Sequence, residues 1–440
     1  ALRAARAAGV AALALAALLA LPGLVSSLRE AAGFVGKQDP WAALNAEQRP
    51  LVRARLGALL QPLWFYGGFA YLIPLVPLAA AWRARDPRWR EPSLVLALWS
   101  AAFGALAVAQ LRYGADYAPA AAVGFAVTVD EFGRRFGAGT RRAQIATALA
   151  AALGLAPMAA QHALQARASI AAARVPASGD PLLQTATGTL YRFAEEIRRV
   201  TPETAGYRDA AAWPEYAILT PANIGHLLHY VARRATPSDN FGPYSGSRHF
   251  AMAQRFFNVK TEARANAVAE RLRARYVVTV EYGPVHNLGL TQRLHREDGV
   301  EIWEQPPWAL FRLVTEGPQG GRPLSDLYRG AAMPGVAPYK LWERVPGALL
   351  EVRAPAGTAV QAGVPVRAPS GRTFRWAARA TAGDDGVARL RVPYATDATT
   401  PVKTAGPWLV QAGLAHATVE VPEAAVLGGA TVAVAPVETP

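Results

Sequence analysis

The sequence predicts a multi-spanning α-helical membrane domain, followed by an external mixed α/β domain and a C-terminal β-sandwich. Three observations lead to this fold class. Long Ala/Leu/Val runs are confined to residues 1–165, the loops between these runs are rich in arginine, and residues 340–440 contain short alternating strands between Gly, Pro and Asp turns. The predicted domains are therefore 1–165, 166–339 and 340–440.

Five apolar segments have about the length that a bilayer core of ~30 Å requires, which is about twenty residues for a helix. They are 7–26, 61–81, 93–110, 113–129 and 143–164. The third and fourth are nearly continuous, which predicts a tight hairpin at Arg112–Asp116. A cleavable signal peptide is the alternative for the first segment. The apolar runs that follow favour instead a chain that begins part-way through a longer membrane protein.

Arginines in the loops predict the orientation of these segments. Trp82–Glu91 and Asp130–Arg142 each contain four arginines, and Arg3 and Arg6 precede the first segment. Short loops rich in Lys and Arg stay in the cytoplasm. The loop 27–60 and everything after about residue 165 are therefore expected outside, in a multi-pass protein of the cell membrane with a periplasmic or external C-terminal part.

The net charge of +14 does not indicate nucleic-acid binding. Many of the arginines are explained by membrane topology, and the sequence has neither an RNA-binding signature nor a basic run interleaved with aromatic residues. The expected partner is the lipid bilayer and not a nucleic acid. The chain contains no cysteine, which excludes disulfides, thiolate metal sites and a cysteine nucleophile.

The external part mixes helix and strand patterns. Leu183–Val200 has helical spacing, and Thr261–Arg275 is a charged amphipathic helix that runs into the strand pattern Tyr276–Glu281. After residue 340 only short strands are predicted, of the size found in immunoglobulin-like modules. These are Ala348–Arg353, Val364–Ala368, Thr373–Ala378 and Ala388–Val392.

Two candidate site residues belong to the membrane domain. Glu47 in the external loop can hold a divalent cation through oxygen, or accept a hydrogen bond from a substrate amide. The alternative is a solvated loop acid. Arg112 is at the edge of a span, where burying a charge costs free energy. An arginine there can donate two parallel hydrogen bonds to a lipid-linked pyrophosphate. The alternative is an interfacial arginine paired with Asp116.

A third candidate is the run Tyr216–His226, in which a strand-like segment enters a turn and then an apolar helix. Asp239 and Asn240 follow downstream. Such a turn presents side chains at a rigid edge that suits a peptide or a sugar. The alternative is an ordinary joint in which Asn223 caps the helix. The histidines at 226, 229 and 249 are not spaced as a metal site.

Taken in order, these segments resemble the C-terminal part of the oligosaccharyltransferase catalytic subunits of the archaeal AglB and bacterial PglB type. Their WWDYG motif lies in a phrase whose start is similar to Tyr216–Thr220 and whose end is similar to Gly225-His226. Glu47–Pro50 resembles the external-loop phrase Ser-Val-Ser-Glu-x-Gln-Pro. Other similar phrases are Arg112-Tyr113, Ala232–Arg234, Asp239-Asn240, Phe256-Phe257, Phe311–Val314, Trp342–Ala348 and Val392–Tyr394.

The resemblance implies the late helices of a GT-C fold and a glycosyltransferase of class EC 2.4. It would transfer a glycan from a polyprenyl (pyro)phosphate carrier to the asparagine of an acceptor polypeptide. Glu47 would hold Mg²⁺ or Mn²⁺ and orient the acceptor amide, with the other metal ligands upstream of this chain. Arg112 would lie near the donor phosphate or acceptor peptide, and His249 near the pyrophosphate. The turn of Pro221, Ala222 and Asn223 would occupy the pocket that reads the acceptor's +2 hydroxyl.

Two departures from the family pattern leave alternatives open. The two Trp and the Asp of WWDYG are replaced by Pro221, Ala222 and Asn223, and one amide is a weaker polar pocket than a carboxylate with two indoles. A GT-C glycosyltransferase that uses a lipid or polymer acceptor is one alternative. A non-catalytic, membrane-anchored envelope protein that binds a glycan or a partner is the other. Family members also begin several membrane helices earlier, so this chain alone is expected to be catalytically incomplete.

Overall fold

A computed structural model describes most of the chain, which divides into two compact units, Ala1–Pro176 and Ala177–Pro440. The described residues are 8–10, 12, 16, 46–48, 50–51, 61–137, 140–173, 180–207, 209, 211–240, 247–281, 289–303, 305–322 and 336–434. The predicted first span, 7–26, therefore lies almost entirely outside them. We refer to the two parts as unit 1 and unit 2.

Unit 1 is helical throughout its described part. A 3₁₀ turn at Ala46–Gln48 precedes five α-helices, and a second 3₁₀ turn at Leu111–Tyr113 separates the third helix from the fourth. The helices are α1 Gln61–Tyr66, α2 Val76–Arg83, α3 Arg90–Ala109, α4 Gly114–Gly137 and α5 Arg141–Ala173. The hairpin predicted at Arg112–Asp116 is confirmed as the joint between α3 and α4.

The predicted segment 61–81 is not one regular helix. Between α1 and α2 the chain forms a 3₁₀ stretch, Gly67–Leu75, that contains Pro74. Gly67 has φ +60°, and a Cβ there would lie 2.1 Å from the carbonyl oxygen of Gly154. Proline removes an amide donor from the helix, and glycine permits this left-handed backbone and close contact. The break thus lets this segment pack tightly against α5.

The two arginine-rich loops are held at the same end of unit 1. Arg83, at the end of α2, makes a 2.6 Å ion pair with Asp130 of α4. Tyr117 is fully buried beside α3, and the rings of Phe69 and Phe125 stack at 5.1 Å. This packing supports the predicted grouping of the positive loops on one side.

Two helical stretches of the described residues are long and apolar enough to cross a membrane, Arg90–Ala109 and Thr147–Arg167. They correspond to the predicted spans 93–110 and 143–164. The segment 61–81 is interrupted, and α4 carries Asp116 and Pro119 within its apolar run. The two further predicted spans, 61–81 and 113–129, do not reach that standard among the described residues, so the multi-spanning topology stays a proposal.

Unit 2 begins with helices around a four-stranded sheet. The strands are β1 Ala217–Leu219, β2 Ala274–Val280, β3 Phe311–Gly317 and β4 Tyr339–Arg344, in the order β1-β2-β4-β3. The helices are α6 Ala186–Val200, α7 Ala222–Ala232, α8 Ser247–Phe256 and α9 Glu262–Arg271, with a 3₁₀ turn at Pro181–Gln184 and a π-helix at Thr291–Arg296. β1 is parallel to β2, and the other pairs are antiparallel.

Each face of this four-stranded sheet is buried in a different hydrophobic core. Successive residues of a strand point to opposite faces. Tyr276 and Val278 pack with α6 and α7 in one core, whereas Val277 packs in the other core with Trp342 and the C-terminal strands. The sheet therefore lies between the two hydrophobic cores of unit 2 and contributes residues to both.

Two further sheets form the C-terminal module. One has the order β11-β10-β6-β7, with β9 paired to β6, and the other has the order β12-β5-β8. Trp376 and Trp408, both fully buried, meet edge-to-face at 5.5 Å in a core that both sheets share, as a β-sandwich requires. The elements are β5 Ala348–Arg353, β6 Ala359–Arg367, β7 Thr373–Thr381, β8 Val387–Val392, β9 Lys403–Thr404, β10 Trp408–Ala412, β11 Ala415–Val419, α10 Glu423–Gly428 and β12 Thr431–Ala433.

The predicted boundary between 339 and 340 falls inside the four-stranded sheet. β4 begins at Tyr339 and pairs with both β2 and β3, so it belongs to the sheet of the preceding region. The chain separates at 176/177 into two units. The finer division into 166–339 and 340–440 stays a prediction.

Candidate functional site

The turn that carries Glu47 packs against the turn that carries Arg112. The first is Ala46–Gln48 and the second is Leu111–Tyr113. Just after the first turn, the Leu51 amide donates to the carbonyl oxygen of Val108 at 2.9 Å. Two candidate residues that are far apart in the chain are thereby brought to the same end of unit 1, the end opposite the arginine-rich loops.

Among the described residues, neither polar atom of the buried Gln48 side chain has a hydrogen-bond partner. The residue is only 7% exposed, while its neighbour Glu47 is exposed. Buried polar atoms are nearly always paired, so an orphaned carboxamide at this place is a candidate partner for an amide of a ligand. Gln48 is not recognisable as a site residue from the sequence, because its burial depends on contact with the distant Leu111–Tyr113 turn.

Arg112 lies where the helical path is broken. Its guanidinium is 5.6 Å from the centroid of the Tyr113 ring. Beside it, the hydroxyl of Tyr66 donates to the carbonyl oxygen of Gly114 at 3.2 Å, which ties α1 to the start of α4. A cation held at a helix break beside an exposed carboxylate can bind a phosphate while the carboxylate accepts from an amide.

The turn after β1 forms the first residues of α7. Pro221 is the N-cap residue and makes no side-chain cap hydrogen bond, so the alternative in which Asn223 caps this helix is wrong. Ala222 and Ile224 are buried, and Asn223 is half-buried. The side chain of Asn223 is thus the polar side chain that this turn offers.

Asp239 is placed beside this turn by a close backbone contact. A Cβ on Gly225 would lie 2.2 Å from the carbonyl oxygen of Ser238 and 2.9 Å from Cα of Asp239, so only glycine permits this approach. The hydroxyl of Ser238 also donates to the carbonyl oxygen of Thr220 at 3.1 Å. The structure therefore brings together the turn and the Asp239-Asn240 pair, as the third candidate site requires.

His249 occupies a different place from the turn. Its ring meets the ring of Trp213 edge-to-face at 5.8 Å, in a small cleft that Ala217 also lines. Ala217 begins β1, whereas the turn follows the end of β1. Trp213 was missed by the sequence analysis, because it lies in a loop with no regular pattern.

The described residues offer no set of ligands for the metal ion predicted at Glu47. None of the His, Asp and Glu side chains within the described ranges form a group of three that could hold an ion. Glu47 alone is one oxygen donor, and Mg²⁺ in proteins commonly has one or two carboxylates together with substrate phosphates. The role of Glu47 toward Mg²⁺ or Mn²⁺ stays a prediction.

Residues 347–432 match the family described as the long peripheral domain of archaeal glycosylation protein B, AglB. Dolichyl-phosphooligosaccharide-protein glycotransferase 2 of Archaeoglobus fulgidus is 34% identical over 79 residues, which is 18% of this chain and 12% of that protein. The predicted resemblance to AglB is confirmed. These homologues are glycotransferases.

The fold of this AglB-like chain matches solved structures of the A. fulgidus oligosaccharyltransferase. One is AglB in complex with an inhibitory peptide and a dolichol-phosphate, with a TM-score of 0.64, 16% identity, and coverage of 95% of this chain and 63% of that one. Another is tethered to an acceptor peptide containing the NVT sequon, with a TM-score of 0.62, 16% identity, and coverage of 94% and 63%. A third contains Zn and sulfate, with a TM-score of 0.57, 17% identity, and coverage of 86% and 60%.

This AglB-like chain thus spans about three fifths of the length of those structures. At these identities the likeness shows a common fold, that of the GT-C oligosaccharyltransferases, with a β-rich C-terminal part. The roles of Glu47, Arg112, Pro221–Asn223 and His249 within that fold are proposals.

Proposed function

We propose that the protein containing this chain transfers a glycan from a polyprenyl (pyro)phosphate carrier to the asparagine of an acceptor polypeptide. The observation that carries this proposal is the packing of the Ala46–Gln48 turn on the Leu111–Tyr113 turn, which gathers Glu47, Gln48 and Arg112. The AglB-like fold supports the same function. The A. fulgidus structures contain a dolichol-phosphate and peptides, which are ligands of the proposed classes.

The proposed roles follow from the chemistry of each side chain. Arg112 binds an oxygen pair of the donor phosphate, because a planar guanidinium donates two parallel hydrogen bonds. Glu47 accepts from the acceptor amide and would supply one oxygen to Mg²⁺ or Mn²⁺. His249 is proposed to act on the donor side.

The test is a transfer assay with the full-length protein, a polyprenyl-linked glycan and a peptide containing asparagine. A peptide whose mass increases by that of the glycan is the expected product. Transfer of the glycan to a lipid or polymer, with the peptide unchanged, would favour the alternative acceptor class. Tight glycan binding without consumption of the donor would favour the non-catalytic alternative.

The turn at Pro221–Asn223 favours the alternative acceptor class and leads to a prediction about specificity. A site that pairs a substrate hydroxyl strongly rejects analogues without it, because its own buried polar groups are then unpaired. Here the turn offers Asn223 but no indole or carboxylate. We expect acceptor peptides with Thr and with Ala at +2 to differ by less than about tenfold in transfer, or ~1.4 kcal/mol.

Competition between the two peptides in one reaction measures this ratio directly. Pro221→Trp is a useful companion variant, because it places an indole N–H donor in the turn and should raise the preference for Thr. A preference of several hundredfold in the unaltered protein would mean that another element reads the hydroxyl.

We further propose that unit 2 lies outside the cytoplasm and the arginine-rich loops inside it. The ion pair between Arg83 and Asp130 supports a common side for both loops. Because the chain has no cysteine, a thiol reagent labels it only at a cysteine introduced by mutation, and this labelling reports the side of the membrane on which that residue lies. We expect Asp384→Cys, in an exposed turn of unit 2, to react with a membrane-impermeant maleimide in intact cells, and Pro87→Cys to react only after permeabilisation. The reverse pattern would overturn this orientation.

A further inference from the structure

An open groove made of two adjoining parts lies on the surface of unit 2. Its wider part, of about 700 Å³, lies along α6 and the end of α7 and includes Tyr230. A narrower cleft of about 210 Å³ includes Trp213. Tyr207 and His229 line both parts, so the two adjoin each other. We call this feature the aromatic groove.

The aromatic groove exposes three large rings to solvent. Tyr191 is 38% exposed, Trp213 is 63% exposed and Tyr230 is 82% exposed. Two rings that line the narrower part contact each other, since the ring of Tyr207 meets that of His229 edge-to-face at 5.6 Å. Exposed rings gathered in one concave surface are typical of a binding site, because a ligand that covers them removes apolar area from water.

The lining of the aromatic groove also holds more positive than negative charge, with four arginines and two acids. Within the described ranges, Arg198, Arg233 and Arg273 line it and make no ion pair. Of its acids, Glu195 is paired with Arg192 at 2.7 Å, and Asp209 accepts from the amide of Ala211 at 2.8 Å. Guanidinium groups with free donors in a concave surface suit a carboxylate or a phosphate.

Arg273 is held at the groove in a backbone conformation that side chains rarely adopt. Its φ is +49°, just past the end of α9, where glycine or asparagine is preferred. The guanidinium carbon lies 5.4 Å from the centroid of the Trp213 ring. In the same cleft the hydroxyl oxygen of Thr236 is buried and has no hydrogen-bond partner in the part of the chain that the structure describes. A cation, a hydroxyl and the His249 ring thus surround an exposed indole.

We propose that the aromatic groove binds an oligosaccharide that contains an acidic sugar. The weakly positive C–H groups on a face of a sugar ring pack against the negative face of an aromatic ring. The carboxylate of the sugar pairs with Arg273, and a hydroxyl group of the sugar bonds with Thr236. A peptide would be read through apolar pockets for its side chains, and Val231 is the aliphatic residue that lines the wider part. This inference goes beyond glycan transfer, because it assigns a glycan-binding groove whose binding needs no donor.

The test measures binding of tetragalacturonate to the purified full chain by isothermal titration calorimetry. Its methyl ester, which has the same linkages without charge, and tetra-aspartate, which has charge without sugar, are the comparison probes. We expect tetragalacturonate to bind most tightly, the ester at least about fivefold more weakly, and tetra-aspartate not measurably. Trp213→Ala should weaken tetragalacturonate binding at least about tenfold. Trp303→Ala, which removes a 95% exposed indole outside the groove, should leave binding unchanged.

Arg273→Asn separates the charge from the stacking, because asparagine tolerates the left-handed backbone. We expect it to weaken tetragalacturonate binding about tenfold, a usual loss for a hydrogen-bonded charge pair, and to leave ester binding unchanged. Equal binding of the acid and the ester, or of tetra-aspartate and tetragalacturonate, would overturn the proposal. Absence of binding by both glycans, or an effect of Trp303→Ala as large as that of Trp213→Ala, would overturn it as well. Failure of the transfer assay would not affect this result.

Discussion

Replacing Glu47 by glutamine is expected to reduce glycan transfer by the full-length protein on the order of 10²-fold. The change removes one negative charge from an exposed residue and keeps its size, so the fold is unaffected. It removes an anionic acceptor for the substrate amide and an oxygen ligand for the metal ion. The measurement is the initial rate of glycopeptide formation at saturating lipid-linked donor.

The matched control is Glu91→Gln, which makes the same change at an exposed acid in the first turn of α3, beside the arginine-rich loop. Its rate should equal that of the unaltered protein. Equal rates for both variants would show that Glu47 is a solvated loop acid. Gln48→Leu adds information, because loss of an orphaned amide that binds the acceptor should raise KM more than it lowers kcat.

Replacing Arg312 by methionine is expected to destabilise unit 2 by roughly 3 kcal/mol or more. Arg312 is buried in β3 and contacts Glu343 at 2.6 Å and Glu423 at 2.7 Å. Burial disfavours its charged form, but hydrogen bonds to Glu423 and the charge of Glu343 outweigh burial and raise the pKa of Arg312. Methionine leaves the Glu343 carboxylate buried with Arg275 as its remaining cation. Urea unfolding of residues 177–440, followed by tryptophan fluorescence, measures the loss.

Two further variants separate the buried charge from general effects. Arg389→Met removes a guanidinium that pairs with Glu351 and Asp385 on the surface, and it should change the unfolding midpoint little. Adding Glu343→Gln to Arg312→Met should recover part of the lost stability, because the stranded carboxylate is then gone. A loss for Arg312→Met no larger than that for Arg389→Met would mean that water solvates Glu343 in the folded state.

Local patterns predicted about half of the described strands of unit 2 and three of its helices, α6, α7 and α9, and they misplaced some ends where the backbone geometry is unusual. The strand predicted at Ala348–Arg353 has the same bounds as β5. The helix predicted at Thr261–Arg275 ends instead at Arg271, since Arg273 takes a left-handed conformation before β2 begins at Ala274. A glycine there would have indicated the break, but an arginine does not.

The candidate site was predicted in part, because its residues come from distant segments. The sequence suggested Glu47 and Arg112 separately, and the contact between their turns appears only in the folded chain. The burial of Gln48 and the meeting of Trp213 with Arg273 also depend on contacts between elements that are far apart in the sequence. Periodicity reports which face of an element is apolar, and it does not report which elements meet.

The four-stranded sheet with a core on each face has a consequence for how unit 2 comes apart. Removal of residues 347–432 would take away the part of the core around Trp342 and Leu313 that the C-terminal strands supply, while Tyr339 and Leu341 on the other face would keep α6 and α7. A sheet whose apolar face is exposed to solvent loses the hydrophobic burial that stabilises it. The helices α6 and α7, the four-stranded sheet and the C-terminal module should therefore unfold in one cooperative transition. Limited proteolysis should release no stable fragment that ends near residue 347, where the match to the family begins.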